Sequence, residues 1–270
     1  MDKFIPLSVP NLKGNEIKYV TDAIEKEWVS TGGSYINSFE ESISKYLGVE
    51  KAVACQSGTA CLHLALRLCN VSNNDEVIVP TLTFIATVNP VKYVGAEPIF
   101  MDCDDSLNMD LDKLRYFCEN ECIFENNRLI NKKTNKIIKA IIIVHIFGNI
   151  IDMEKLMDIA NKYNLKIIED STEALGSYIK NGKYEGRFAG TIGDFGCYSF
   201  NGNKIITTGG GGMLVSNNNK LLDEAKYLST QAKDDELNYI HNEIGYNYRM
   251  TNVQAAIGLA QLEKLEEFIS

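Results

Sequence analysis

The sequence predicts an α/β protein with a mostly parallel central sheet flanked by helices. Short apolar or β-branched runs recur at 52–55, 76–79, 98–101, 140–144, 166–168 and 213–215, which is how strands buried on both faces read. Between several of them lie stretches with helical spacing, at 60–68, 153–163 and 221–228. Strand and helix in alternation is the signature of a parallel sheet whose crossovers are helices.

Taken in order, the segment 16–28 is helical and precedes every strand, and 253–268 is helical and follows the last one. These two are expected to pack at the margin of the sheet domain or against a partner. The stretch 120–139 is rich in Asn and Lys, yet it carries Ile123, Phe124, Leu129 and Ile130, with Asn126-Asn127 as a turn; it reads as a surface hairpin insertion. A chain of 270 residues suffices for one large domain. We expect that domain over 1–250, with 251–270 beginning a linker helix, because no stop signal follows Phe268 before Ile269-Ser270.

Composition narrows the function classes. With 45% hydrophobic and 23% charged residues the chain can bury a core. The net charge of −9, without a run of Lys or Arg, argues against an extended nucleic-acid surface, which needs clustered cations. Seven cysteines form no Cys-x-x-Cys pair, so neither a disulfide framework nor a metal site is expected, and reduced thiols point to the cytoplasm. The N-terminus has no apolar signal core, and the apolar run at 141–144 is too short to span a bilayer, so no membrane is implied.

Three segments carry chemistry. Ser57-Gly58-Thr59-Ala60 follows the first strand and opens a helix, which suits a phosphate; the plainer reading is a Ser57 or Thr59 helix cap. Glu169-Asp170 ends another strand at the carboxyl edge, where α/β sheets bind ligands. Asp170 could pair with a protonated ring nitrogen of a cofactor, or could serve only as a cap or surface ion pair. Lys204 lies in Gly193-Asp194-Phe195-Gly196-Cys197-Tyr198-Ser199-Phe200-Asn201-Gly202-Asn203-Lys204, followed by Gly209-Gly210-Gly211-Gly212. Glycines permit close approach of a bulky cofactor to a reactive amine. An isolated lysine beside a glycine turn would instead be solvated. No Gly-Lys-Ser or Gly-Lys-Thr follows the glycines, so this is not a nucleotide P-loop.

In this order and at these separations, the segments resemble the DegT/StrS-type nucleotide-sugar aminotransferases, a fold-type I pyridoxal-phosphate family. The resemblance runs from Pro6-Leu7-Ser8-Val9-Pro10 through Trp28-Val29-Ser30-Thr31-Gly32, the Ser57 segment, Pro80-Thr81-Leu82-Thr83-Phe84-Ile85-Ala86-Thr87, Val144-His145-Ile146-Phe147-Gly148, Glu169-Asp170 and the Lys204 segment to Gly245-Tyr246-Asn247-Tyr248-Arg249-Met250. It implies the large domain of that fold, with the family's smaller C-terminal domain missing from this sequence.

The resemblance makes Lys204 the lysine that holds the cofactor and moves its proton, and Asp170 the partner of the ring nitrogen. Phe84 takes the place of the aromatic that stacks on the ring. Gly58, Thr59, Ala60 and Ser199 match the phosphate cup. Asn247 matches a residue that reaches the neighbouring subunit's phosphate, which implies a homodimer with shared sites. Glu173 stands where many relatives carry Gln or His near the cofactor's phenolic oxygen, and two anions there would repel, so it must be protonated, bridged by water or turned toward the sugar. His145 is expected beside the cofactor rather than in the chemistry, His63 and His241 in structural or exposed roles, and Trp28 in the core or at the rim.

The implied reaction is ping-pong transamination, with L-glutamate as donor and a keto-sugar on a nucleotide as acceptor. The run 200–212 and the hairpin look like those of the bacillosamine and legionaminic acid branch, which implies a UDP-linked 4-keto-6-deoxy-N-acetylhexosamine. A 3-keto or a dTDP- or GDP-linked sugar is the alternative, as is a cofactor-binding protein without activity. A dehydratase of the same family is disfavoured because Lys204 is present.

Overall fold

The computed structural model describes residues 4–6, 8–235 and 237–270; Leu7 of the N-terminal motif lies outside them. The chain opens with α1 (Glu16–Glu25) and α2 (Ser34–Leu47). The first is shorter than the expected 16–28, because Glu27 enters the left-handed region (φ +58°) and Trp28 N–H bonds back to Ala23 O, ending the helix. The second was not anticipated. It runs from Gly33 to a left-handed Gly48 (φ +67°) and buries Ile36, Phe39, Ile43 and Leu47 along one stripe.

Then follow β1 (Ala52–Cys55), α3 (Gly58–Leu68), β2 (Asp75–Pro80), α4 (Asn89–Tyr93), β3 (Glu97–Met101) and α5 (Leu111–Tyr116). Next come β4 (Cys122–Glu125), β5 (Arg128–Asn131), β6 (Ile137–Val144), α6 (Met153–Tyr163), β7 (Lys166–Asp170), β8 (Phe195–Ser199) and β9 (Gly212–Val215). The chain closes with α7 (Asn219–Ser229), α8 (Asn252–Leu262) and α9 (Leu265–Ile269). The single helix expected over 253–268 is therefore two. Lys264 leaves helical geometry (φ −106°, ψ 0°), and the turn carries Leu265 into full burial.

The sheet order is β1-β9-β8-β7-β6-β2-β3. Strands β8, β7, β6, β2 and β3 are parallel, while β9 runs against its neighbours β1 and β8 and β5 runs against β6. Strand β8 escaped the sequence reading because glycine occupies its second position. Gly196 has a physical reason to be there: a Cβ would lie 1.9 Å from Gly190 O. In the 120–139 segment, β4 and β5 pair antiparallel around Asn126 (φ +48°) and Asn127 (φ +62°), a turn whose twist suits a hairpin, and β5 joins the start of β6.

Alternation along β6 and β7 builds the two sides of the core. Ala140, Ile142 and Ile168 pack with α3 and α7, whereas Ile141, Ile143 and Ile167 pack with α6. A third cluster joins α2 and α8 to Tyr198, Phe200 and Met213. Because β1, β8, β7, β6 and β2 share one direction, their carboxyl ends open on one edge of the sheet. Ser57, Thr87, His145, Asp170 and Ser199 all stand at or just beyond that edge.

Candidate active site

Strand β7 ends in two carboxylates that pleating sends to opposite faces. Glu169 is fully buried and saturated: Oε1 accepts from Ile192 N (2.7 Å) and Gly193 N (2.5 Å), and Oε2 from Gly190 N and His145 Nε2 (2.8 Å each). Burial alone would raise this carboxyl, but His145 and the backbone amides outweigh it and hold it below the ordinary glutamate value. Asp170 is 3% exposed and has fewer partners. Its Oδ2 accepts from Thr87 Oγ1 (2.7 Å), which is in turn 2.7 Å from Thr83 Oγ1, and its Oδ1 accepts from Thr172 N (3.2 Å). Burial raises its carboxyl, against the pull of Thr87, Thr172 and the charge of Lys204. A buried carboxylate with hydroxyl and amide donors but no cation in contact among the described residues is suited to a positively charged N–H donor.

Helix α3 begins beside it. Ser57 caps the helix, its Oγ accepting from Ala60 N (3.1 Å), while Cys61 N bonds Ser57 O. The plainer reading of this segment, a Ser57 helix cap, therefore holds for one of its amides. The Ala60 N–H is spent on the cap, so Ala60 cannot offer it to a phosphate. Gly58 N and Thr59 N find no acceptor among the described residues and remain free at the positive end of the helix. A Cβ on Gly58 would lie 3.0 Å from Ser199 Cβ and 3.1 Å from Thr172 Cγ2, so the absence of a side chain lets Ser199 close the cup.

Lys204 sits in the loop that joins β8 to β9. The loop closes on itself through Phe200 N to Gly211 O (2.8 Å) and Thr208 N to Phe200 O (2.9 Å), leaving Lys204 in the turn between. Its side chain is 17% exposed, with Nζ 3.3 Å from Glu173 Oε1. Glu173 Oε2 accepts from Phe147 N (3.2 Å). Hence Glu173 faces the Lys204 amine through one oxygen and a backbone amide through the other. Phe147 holds the left-handed conformation (φ +52°, ψ 25°) with its ring 76% exposed, a costly geometry for a residue with a Cβ.

Phe84 is 77% exposed, three residues before the Thr87 that touches Asp170. Asn247 is not gathered with these groups. Its Oδ1 accepts from Gln231 Nε2 (3.2 Å), and it lines a cavity of about 280 Å³ with Thr31, Gly32, Thr230, Lys233 and Arg249. His145 is fully buried against Glu169. His63 is buried with Nδ1 2.9 Å from Tyr248 Oη, His241 is exposed, and Trp28 is 60% exposed and so not a core residue. Sequence reasoning missed Thr87 and Glu169. The first stands in the quoted run 80–87; the second had no signal separating it from Asp170 beyond strand alternation.

The groups collected here are two free amides at a helix N-terminus, a buried carboxylate, a lysine and an exposed aromatic ring at the carboxyl edge of a doubly flanked sheet. They define the large domain of a fold-type I pyridoxal-phosphate protein, and the donor set fits that cofactor's phosphate, ring nitrogen and carbonyl carbon. Residues 10–270 match the model of the DegT/DnrJ/EryC1/StrS aminotransferase family, and the chain belongs to that family.

It is 44% identical to a GDP-perosamine synthase of Escherichia coli O157:H7 over 99% of this chain and 68% of the relative. It is 34% identical to a UDP-4-amino-4,6-dideoxy-N-acetyl-beta-L-altrosamine transaminase of Campylobacter jejuni over 97% of this chain and 65% of the relative. The Streptococcus pneumoniae protein Spr1654, solved in a PLP-form, superposes with a TM-score of 0.84 at 29% identity, covering 98% of this chain and 68% of that one. The chain thus spans about two thirds of the length of these relatives.

Proposed function

We propose that this chain is the cofactor-bearing part of an aminotransferase that places an amino group on a keto-sugar carried by a nucleotide, with L-glutamate as donor. The observation that carries the reading is the convergence of Lys204, Asp170 and the free Gly58 and Thr59 amides on one edge of the sheet. Pyridoxal phosphate, when bound, supplies the electron sink that stabilises a carbanion. The chain supplies the rest. Gly58 and Thr59 N–H with the Thr59 and Ser199 hydroxyls hold the phosphate, Asp170 keeps the ring nitrogen protonated, and Phe84 covers a ring face. Lys204 Nζ attaches the cofactor and carries the proton, and Glu173 holds that amine at the mouth of the site.

The acceptor is read from the relatives. Identity to the GDP-perosamine synthase exceeds identity to the UDP-sugar transaminase by 44% to 34%. This favours a GDP-linked sugar over the UDP-linked one that the sequence resemblance implied. Asn247, bonded to Gln231 in a separate cavity, supports a homodimer in which it serves the partner's phosphate. All seven cysteines are free, six of them buried, which suits the cytoplasm. Among the described residues no helix is long and apolar enough to cross a membrane.

The test is the visible absorbance of the protein loaded with pyridoxal phosphate. The band should be lost in Lys204→Ala and bleached by L-glutamate in the unsubstituted protein. A borohydride-stable adduct on another lysine would overturn the assignment, and a band that glutamate leaves intact would identify a cofactor-binding protein without transaminase activity. Mass spectrometry of reactions with GDP-, UDP- and dTDP-linked keto-sugars then names the acceptor.

A further inference from the structure

Helix α8 carries two glutamines whose side chains reach the loop that bears Lys204. Gln261 is 1% exposed, and an unbonded amide at that depth would cost stability. It is fully engaged instead. Its Oε1 accepts from Thr207 N (3.3 Å), and its Nε2 donates to Asn11 O (2.8 Å) and to Glu16 Oε1 (2.6 Å). Two turns earlier, Gln254 Nε2 donates to Gly210 O (2.5 Å), while its Oε1 accepts from Thr251 N in the capping box that starts the helix.

Between them stands Gly258. A Cβ there would lie 2.7 Å from the Phe39 ring and 2.8 Å from Thr208 Cγ2. Positions 254, 258 and 261 recur at i, i+4 and i+7 and so form one stripe of the helix. That stripe meets Thr207, Thr208 and Gly210, the returning half of the loop whose turn bears Lys204.

We propose that Gln254, Gly258 and Gln261 are positioning residues for Lys204: they dock the loop 207–210 on α8, and Gln261 ties the same loop to the N-terminal segment 11–16. The inference deepens the reading of Lys204 as the cofactor lysine and rests on it for its functional meaning. The docking itself does not. The loop's own hydrogen bonds close its neck but leave its orientation to the rest of the fold open. The contacts to α8 supply that orientation, and at Gln261 they place a polar side chain where a buried helix position would otherwise be apolar.

The experiment measures amide hydrogen exchange in the cofactor-free protein, comparing peptides over 203–211 with a core peptide over 137–144. Gln261→Leu and, separately, Gln254→Leu should speed exchange in the loop roughly tenfold, as expected for the one hydrogen bond that each glutamine makes to the loop, with the core peptide unchanged. Gln261→Glu keeps the acceptor for Thr207 N but repels Glu16, so it should loosen the N-terminal peptide; adding Glu16→Gln should restore it. In the loaded protein the pH midpoint of the visible band should shift in both leucine variants, reporting a displaced lysine.

If exchange in 203–211 is unchanged in the folded variants, or rises equally in the core peptide, the proposal is overturned. If exchange responds as expected but Lys204→Ala retains the visible band, the docking stands and the cofactor reading of Lys204 falls.

Discussion

The adjacent carboxylates of β7 should respond in opposite directions to loss of charge. In Glu169→Gln the amide keeps an oxygen for Ile192 and Gly193 N–H, but its NH₂ must then face Gly190 N–H and His145 Nε2. His145 can accept by changing tautomer; the Gly190 amide cannot. One orphaned buried N–H costs about 1–3 kcal/mol, and three bonds that change from charge-assisted to neutral lose about 0.5–1 kcal/mol each, so the total is about 2.5–6 kcal/mol. At a urea slope of about 3 kcal/mol/M, the unfolding midpoint should fall by about 0.8–2 M.

Asp170→Asn keeps both of its existing bonds and leaves only the second N–H of its amide without a partner. Its oxygen accepts from Thr172 N, its NH₂ donates to Thr87 Oγ1, and Thr87 turns its proton to Thr83. Because burial raises the Asp170 carboxyl in the folded state, the stability that this group contributes is present below the ordinary aspartate value and is lost as pH rises through the raised one. The cofactor-free Asp170→Asn variant should therefore be more stable than the unsubstituted protein at pH 7, and this advantage should vanish in acid. Urea and thermal unfolding across pH at fixed protein concentration read both effects. Glu169→Gln without loss, or Asp170→Asn destabilised at pH 7, would refute this division between a saturated and an expectant carboxylate.

Other consequences follow from the same geometry. Burial, and secondarily Arg67, pushes His63 down to about 4, so its stabilising contribution is present above the ordinary histidine value and is lost as pH falls through about 4; an imidazole proton resonance that titrates near 6.5 would contradict this. Phe147→Gly should stabilise the cofactor-free chain by about 1 kcal/mol, since a left-handed residue with a Cβ costs about 1–2 kcal/mol and the ring is largely exposed; a lower melting temperature would show that the ring packs more than it strains. Mixing Lys204→Ala chains with Asn247→Ala chains should restore partial activity through one intact shared site. Hybrid dimers that form and remain inactive would end the cross-subunit role of Asn247.

Much of the sheet was legible because its strands are buried on both faces and so read as continuous apolar runs, as in 140–144 and 166–168. Strand β8 was not, since Gly196 is dictated by contact with Gly190 rather than by strand propensity. Helix α2 was hidden by its polar composition, although its flanking glycines mark both ends. At the site, Lys204, Asp170 and Gly58 were visible as residue types at strand and helix ends. What a sequence does not display is which hydrogen-bonding groups are already engaged. The Ala60 amide is consumed by Ser57, and Glu173 is paired with Lys204, a contact set by segments far apart in the chain.

Three carboxylates within five residues, Glu169, Asp170 and Glu173, show how surroundings assign different chemistry to similar groups. Pleating sends the first two to opposite faces of one strand, so neither can take the other's place by a rotamer change. Glu169 meets four donors and has no capacity left for a ligand; it fixes the 190–193 turn that leads into β8, and through β8 the approach to Lys204. Asp170 meets two donors in an equally dry setting, which leaves its charge undercompensated and makes a cationic N–H its natural complement. Glu173 lies beyond the strand, is 36% exposed and bonds a lysine and a strained backbone amide. Its geometry can relax at little cost when either partner moves, as a group at the mouth of a site must. The chemical division among the three is therefore set by the number of donors each meets and by its access to water, and both are consequences of where β7 ends.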